Sequence, residues 1–232
     1  MSPLFLLVTL VGLALVGIAS LRVHSTFRKY QRVGVRSGMT GAEAAAAVCR
    51  AGGAHDVTIE RHQGFLSDHY DPRHRTLRLS PAVFEGRSVS SIAVAAHEAG
   101  HAIQHAESYA WLSMRSSLVP VVMVANNVWM WFFLAGALLS ASAPAIGKPL
   151  FAVGVGLFGL GVLFQLVTLP VEFDASRRAK AVLATAGIVQ TQEEAVGVQQ
   201  VLGAAAMTYV AGAAASVLQF LLLLWQLFGH RE

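Results

Sequence analysis

Four stretches of this chain are too long and too apolar for a water-soluble fold. Residues 3–21, 118–139, 150–169 and 209–228 contain no Asp, Glu, Lys, Arg or His. A 19-residue helix is about 28 Å long, close to the hydrocarbon thickness of a bilayer. Inside lipid every backbone N–H and C=O must be satisfied within the segment, so each stretch has to be helical. Composition agrees: 55% of residues are hydrophobic and 13% charged, against about 25% charged in a typical soluble domain. The expected fold is a mainly α membrane protein with four transmembrane helices. Asn126, Asn127, Gln165, Gln219 and Gln226 lie inside the spans, where they suit hydrogen bonds between helices. Without an ionisable residue in any span, an ion-coupled transporter or proton relay is disfavoured.

Four spans divide the remainder between two sides. Residues 22–117 and 170–208 share one side, while both termini and the 140–149 loop share the other. Fifteen of the 17 Lys and Arg residues fall on the first side; only Lys148 and Arg231 fall on the second. The positive-inside rule makes the first side cytoplasmic and puts both termini outside. The +4 net charge is therefore a topology signal rather than a nucleic-acid footprint. The first span has no basic residue before it and Arg22, Arg28, Lys29, Arg32 and Arg36 after it, so it reads as a retained anchor. The expected organisation is transmembrane helix 1 (1–21), a cytoplasmic region (22–117), helix 2 (118–139), a short outer loop (140–149), helix 3 (150–169), cytoplasmic helices (170–208), and helix 4 with a tail (209–232). The single cysteine, Cys49, excludes an internal disulfide.

The polar regions carry readable local signals. Thr40 and Glu43 form a capping box for a helix over 40–51, stopped by Gly52-Gly53. Residues 57–59 and 76–79 alternate as short strands, and 68–72 reads as a turn bent at Pro72. Residues 88–106 read as a helix. Pro170 suits a helix start or kink before a helix over 172–186 that Gly187 ends. Thr191 and Glu194 form a second capping box, opening a helix that runs towards the fourth span.

The helix over 88–106 contains His97-Glu98-Ala99-Gly100-His101. Histidines four apart share one helix face, so both imidazoles reach one metal ion, and the Glu between them is placed to take a proton from a metal-activated water. This is the core of a zinc peptidase site. A catalytic zinc takes three protein ligands and leaves one position open. His105 continues the spacing but lies about 12 Å along the axis from His97, too far for one straight helix to bring all three rings together. A three-histidine extension of the motif needs Gly and His where this chain has Gln104 and Glu107. The third ligand is then expected from 170–208, with Glu172 the first choice and Asp174 the alternative. Asp174 could instead orient one of the imidazoles. Arg177, Arg178, His105 and Tyr109 are candidates for stabilising the oxyanion. The strand at 76–79 is a candidate to receive an extended substrate.

Four stretches carry a family resemblance: Leu66-Ser67-Asp68-His69-Tyr70-Asp71-Pro72, Ala95-Ala96-His97-Glu98-Ala99-Gly100-His101-Ala102-Ile103-Gln104, Leu169-Pro170-Val171-Glu172-Phe173-Asp174-Ala175-Ser176 and Ala205-Ala206-Met207-Thr208-Tyr209-Val210-Ala211. In order and nearly end to end, they resemble the neutral zinc metallopeptidases of bacterial membranes, the YugP-like group. The resemblance implies a multi-pass membrane protein with a zincin-like site and leaves the substrate open; the expected fold is four transmembrane helices with a minimal zincin-like cytoplasmic α+β unit. The third stretch is also similar to the E-x-x-A-D motif of other membrane-bound zinc peptidases, whose Glu binds the metal. Here Ser176 stands where that motif has Asp.

The expected activity is zinc-dependent, gluzincin-like endopeptidase cleavage of a membrane-associated protein or peptide at the cytoplasmic membrane surface, with one zinc per chain. The rival reading is a non-catalytic zinc-binding scaffold or chaperone. Cleavage within the bilayer is disfavoured, because the apolar run before His97 covers only 92–96 and Glu98, His105 and Glu107 follow closely.

Overall fold

A computed structural model describes residues 3–64 and 67–229. Leu66 of the first shared stretch and Arg231 of the charge count lie outside the described residues. The elements, in order, are α1 (Pro3–Gln31), α2 (Gly41–Ala51), β1 (Thr58–Arg61), β2 (His69–Asp71), β3 (Thr76–Leu79), α3 (Pro81–Phe84), α4 (Val89–Ala106), α5 (Ala110–Ser142), α6 (Pro144–Thr185) and α7 (Gln192–Phe228). The protein is mainly helical, and α1, α5, α6 and α7 are long and apolar enough to cross a membrane. The chain forms two compact units.

One unit comprises Met1–Ile18, Met114–Leu169 and Tyr209–Glu232. Its large apolar side chains point outward: Leu7, Trp131 and Leu138 are 58%, 72% and 78% exposed. Such a surface suits lipid rather than water. A Cβ on Gly136 would lie 2.2 Å from the Phe151 backbone N, and one on Gly154 2.6 Å from that of Phe133. Glycine therefore lets α5 and α6 pack backbone against backbone. Beside that contact the Trp129 ring lies 4.9 Å from Phe158.

The other unit comprises Ala19–Ser113 and Pro170–Thr208, and it buries its apolar residues in the ordinary way. Its core includes Phe27, Val48, Leu77, Leu79, Ile92, Leu183 and Val198. The capping box of α2 forms as the sequence implies: Glu43 N donates to Thr40 Oγ1 at 3.1 Å, and Thr40 N to Glu43 Oε2 at 2.7 Å. The second box opens α7, and its Glu194 does more. It accepts from Thr191 N at 3.1 Å, Gln190 N at 2.6 Å and Arg36 N at 2.7 Å, tying the segment after α1 to the start of α7.

Three sequence expectations change. Residues 69–71 are not a turn: His69, Tyr70 and Asp71 form β2 and pair antiparallel with Arg78, Leu77 and Thr76. Pairing with a neighbour overrides the Asp signals, and the chain turns over 72–75, beginning at Pro72, where the Asp71 carboxylate accepts from Arg73 N at 3.0 Å. The strand at 76–79 forms, but as the centre of the sheet, order β1-β3-β2, with β1 parallel to it. Both its edges are hydrogen-bonded, so it cannot receive a substrate strand. Pro170 does not start a helix, because α6 runs through it from Pro144 to Thr185. Just beyond it, Val171 and Glu172 are 0% and 2% exposed, so packing holds the helix together there.

Candidate metal centre

The site is assembled from two helices of the second unit. Ser88 caps α4, its hydroxyl accepting from Ser91 N at 3.2 Å. From Ala95 to Gln104 every residue of α4 is buried, so the motif lies within the core rather than on a solvated face. His97 and His101 sit one turn apart with ring centroids 4.8 Å apart. The Glu172 carboxylate of α6 lies between them: Oε2 is 3.2 Å from His97 Nε2 and 3.6 Å from His101 Nε2. One donor atom from each of the three residues falls within 4.8 Å of the others, and their exposures are 9%, 7% and 2%.

Gly100 makes this approach possible. A Cβ there would stand 2.5 Å from the Ala175 carbonyl oxygen of α6, and a backbone atom cannot yield as a flexible side chain would. The motif's glycine therefore sets the spacing between the helix that carries both histidines and the helix that carries Glu172.

The outward ring nitrogens are also held. His101 Nδ1 lies 3.0 Å from Gln104 Oε1, and the Gln104 amide donates to Asp174 Oδ2 at 2.9 Å and to the Val171 carbonyl at 2.8 Å. An amide oxygen only accepts, so Nδ1 donates this bond and Nε2 is the nitrogen that faces Glu172. His97 Nδ1 lies 3.1 Å from Ser176 Oγ. Burial opposes charge on both Glu172 and His101, but their mutual hydrogen bonds and attraction outweigh it. The Glu172 carboxyl is held well below the usual carboxylate range and the His101 imidazolium is favoured.

Of the expected residues, the structure gathers His97, His101 and Glu172. Among the described residues neither Asp174 nor His105 joins that group. Asp174 reaches His101 only through Gln104, and it is also bonded by Arg177 and Arg178. Arg178 reaches Glu107 at 2.6 Å and stacks on Tyr109, 5.6 Å from the ring centroid. His105 is bonded to Tyr70 instead, Nδ1 to the phenol oxygen at 2.8 Å. Glu98 is buried beside the cluster and is close enough to Asp68 for its charge to count. Burial first and then Glu98 push the Asp68 carboxyl upward, while Ser80 N and Oγ, at 2.7 and 3.1 Å, steady it.

Sequence reasoning passed over Gln104, whose spacing of three from His101 on a helix was the available signal. It also left Ser176 without a role, although that serine touches His97 directly. Two imidazoles and one carboxylate, buried and convergent, are the donor set that zinc takes, so these residues fit that ion.

A profile of the family described as "Putative neutral zinc metallopeptidase" matches residues 5–228. The chain belongs to that family. It is 46% identical over 218 residues, 94% of each chain, to a Bacillus subtilis (strain 168) protein described as "Putative membrane protease YugP". No solved structure matches. Membership in a zinc metallopeptidase family, together with four apolar helices, makes this a membrane protein of the zinc-protease class.

Proposed function

We propose that this family member is a gluzincin-like endopeptidase that cleaves membrane-associated proteins or peptides at the cytoplasmic membrane surface. The convergence of His97, His101 and Glu172, with Glu98 one residue from His97, carries the reading. His97, His101 and Glu172 would hold one zinc. When bound there, zinc lowers the pKa of a water and polarises the scissile carbonyl. Glu98 accepts a proton from the attacking water and returns it to the leaving amine. Gln104, backed by Asp174, fixes the tautomer and tilt of His101, and Ser176 steadies the tilt of His97. Arg177, Arg178, His105 and Tyr109 remain the candidates for steadying the oxyanion; Arg177 is largely exposed, Arg178 is held by Asp174 and Glu107, and His105 is engaged by Tyr70.

The topology belongs to the same reading: spans at 1–21, 118–139, 150–169 and 209–232, with 22–117 and 170–208 cytoplasmic and 140–149 outside. The charge asymmetry supports it. Cysteine substitutions at Glu85 and Lys148 test it in intact cells with a membrane-impermeant maleimide. Lys148→Cys is expected to label and Glu85→Cys to stay protected until the cells are opened. The native Cys49 is silent in that assay, because burial, only slightly eased by Arg50, pushes its thiol up to about 12.

The activity is tested by comparing the membrane proteomes of cells carrying wild type or Glu98→Gln. Proteins that accumulate intact in the variant are the expected substrates. If the two proteomes match and purified wild type cleaves no peptide, the zinc-binding scaffold becomes the better reading.

A further inference from the structure

One to two turns beyond His101, α4 borders a cavity of about 500 Å³ that shares no residue with the metal centre. Its polar lining includes His55, Asp56, Tyr70, Arg75, His105 and Ser108. A second observation singles it out. Six described residues have backbone φ in the left-handed region. Gly38, Gly53, Gly64 and Gly187 are glycines; the other two are Arg75 (φ 49°) and Ser108 (φ 52°). Glycine is favoured at such positions because a Cβ crowds the following carbonyl. Ser108 ends α4 in a helix stop that usually takes glycine, its N donating to His105 O at 3.1 Å and Tyr109 N to Gln104 O at 2.9 Å. Arg75 closes the turn between β2 and β3. Both therefore keep side chains where glycine would be easier, and both side chains line this one cavity. Residues held in such conformations cluster at functional sites.

The lining is rich in donors. Arg75 holds Asp56 Oδ2 through Nη1 at 3.2 Å, and among the described residues the rest of its guanidinium has no hydrogen-bond partner. The half-buried Tyr70 phenol, whose burial pushes its pKa upward, is hydrogen-bonded to His105 Nδ1 at 2.8 Å, and the other imidazole nitrogen, Nε2, is not used by that bond. The Ser108 hydroxyl and His55 add further polar groups. Among the described residues the only carboxylate lining the cavity is that of Asp56, already paired with Arg75. Such a site selects an acceptor with negative charge.

We propose that this cavity is a specificity pocket for an acidic side chain of the peptide substrate, bound by Arg75 and the Tyr70–His105 pair. The inference rests on the peptidase reading. His105 lies about 6 Å along α4 from His101, a distance that two residues of an extended peptide cover at about 3.3 Å each.

The test uses full-length, zinc-loaded protein and two acetylated, amidated peptide libraries that differ only in holding Glu or Gln at one fixed position. Wild type is expected to cleave the Glu library roughly tenfold faster, the gain of a charge-assisted hydrogen bond in a part-buried pocket. Arg75→Gln should bring the two rates together with zinc content unchanged. Ser108→Gly is the sharper variant. Relief of the left-handed strain should raise Tm by about 2–4 °C, while the preference for Glu falls, an opposition that a purely structural serine would not produce. Equal rates in wild type, or a preference that survives Arg75→Gln, overturn the pocket and leave the peptidase standing. Cleavage of neither library overturns the peptidase reading and the substrate pocket with it.

Discussion

Around His97 and His101, each ring nitrogen has a protein group beside it and the side chains are almost wholly buried. Around His105, on the same helix, the groups are half-exposed, and Arg75, Tyr70 and His105 border open space. On the proposed reading, the two clusters use similar residue types for different purposes. Burial and second partners lock rotamers, and a site that polarises a bond needs donors fixed to within a fraction of an ångström. Recognition of a side chain tolerates looser walls. The contrast predicts that substitutions in the first cluster remove metal and chemistry, whereas those in the second change preference alone.

The largest effect is expected from the ligands. His97→Ala, His101→Ala and Glu172→Ala should each empty the protein of zinc and of activity, while His105→Ala keeps one zinc per chain by elemental analysis. Zinc retained by Glu172→Ala, or lost from His105→Ala, would erase the distinction between the clusters. Next comes Glu98→Gln, expected to keep zinc and lower kcat about 10²–10⁴-fold, since the amide keeps the shape and cannot take a proton. Turnover within tenfold of wild type would move the base elsewhere. Gln104→Ala should weaken zinc about 10–100-fold in competition with a chelator, with Ser176→Ala towards the lower end, because both act only through an imidazole. Gly100→Ala places a methyl against a carbonyl that cannot retreat. We expect a loss of about 1–3 kcal/mol in stability, read by thermal unfolding of the metal-free protein. An unchanged Tm would show that α4 and α6 can part at no cost.

What could be read from the chain, and what could not, divides along the range of the forces involved. The capping boxes at Thr40 and Thr191 act over three residues, and both form. The exclusion of His105 needed only the helical rise, and His105 indeed lies outside the group that His97, His101 and Glu172 make. Features that depend on a distant partner were misread. Residues 69–71 look like part of a turn until β3 is placed beside them. Pro170 looks like a boundary until Val171 and Glu172 are seen buried. Gln104 carries only its spacing from His101 as a mark of its role, since its two acceptors, Asp174 and the Val171 carbonyl, lie about seventy residues away. The edge strand was chosen wrongly for the same reason: periodicity identifies a strand but not its neighbours.

The contact between Gly100 and Ala175 bears on anyone who would transplant this centre. Copying His97, Glu98 and His101 onto a designed helix supplies the donors and the base, yet leaves the distance to the second helix unspecified. That distance is set here by a hydrogen atom where other residues carry a methyl group. A graft with alanine at the equivalent position would hold its carboxylate an ångström or more too far away, and would pass every check on sequence while failing to bind metal. The smallest residue in the motif is thus part of the blueprint, and a design should fix it before choosing the third ligand.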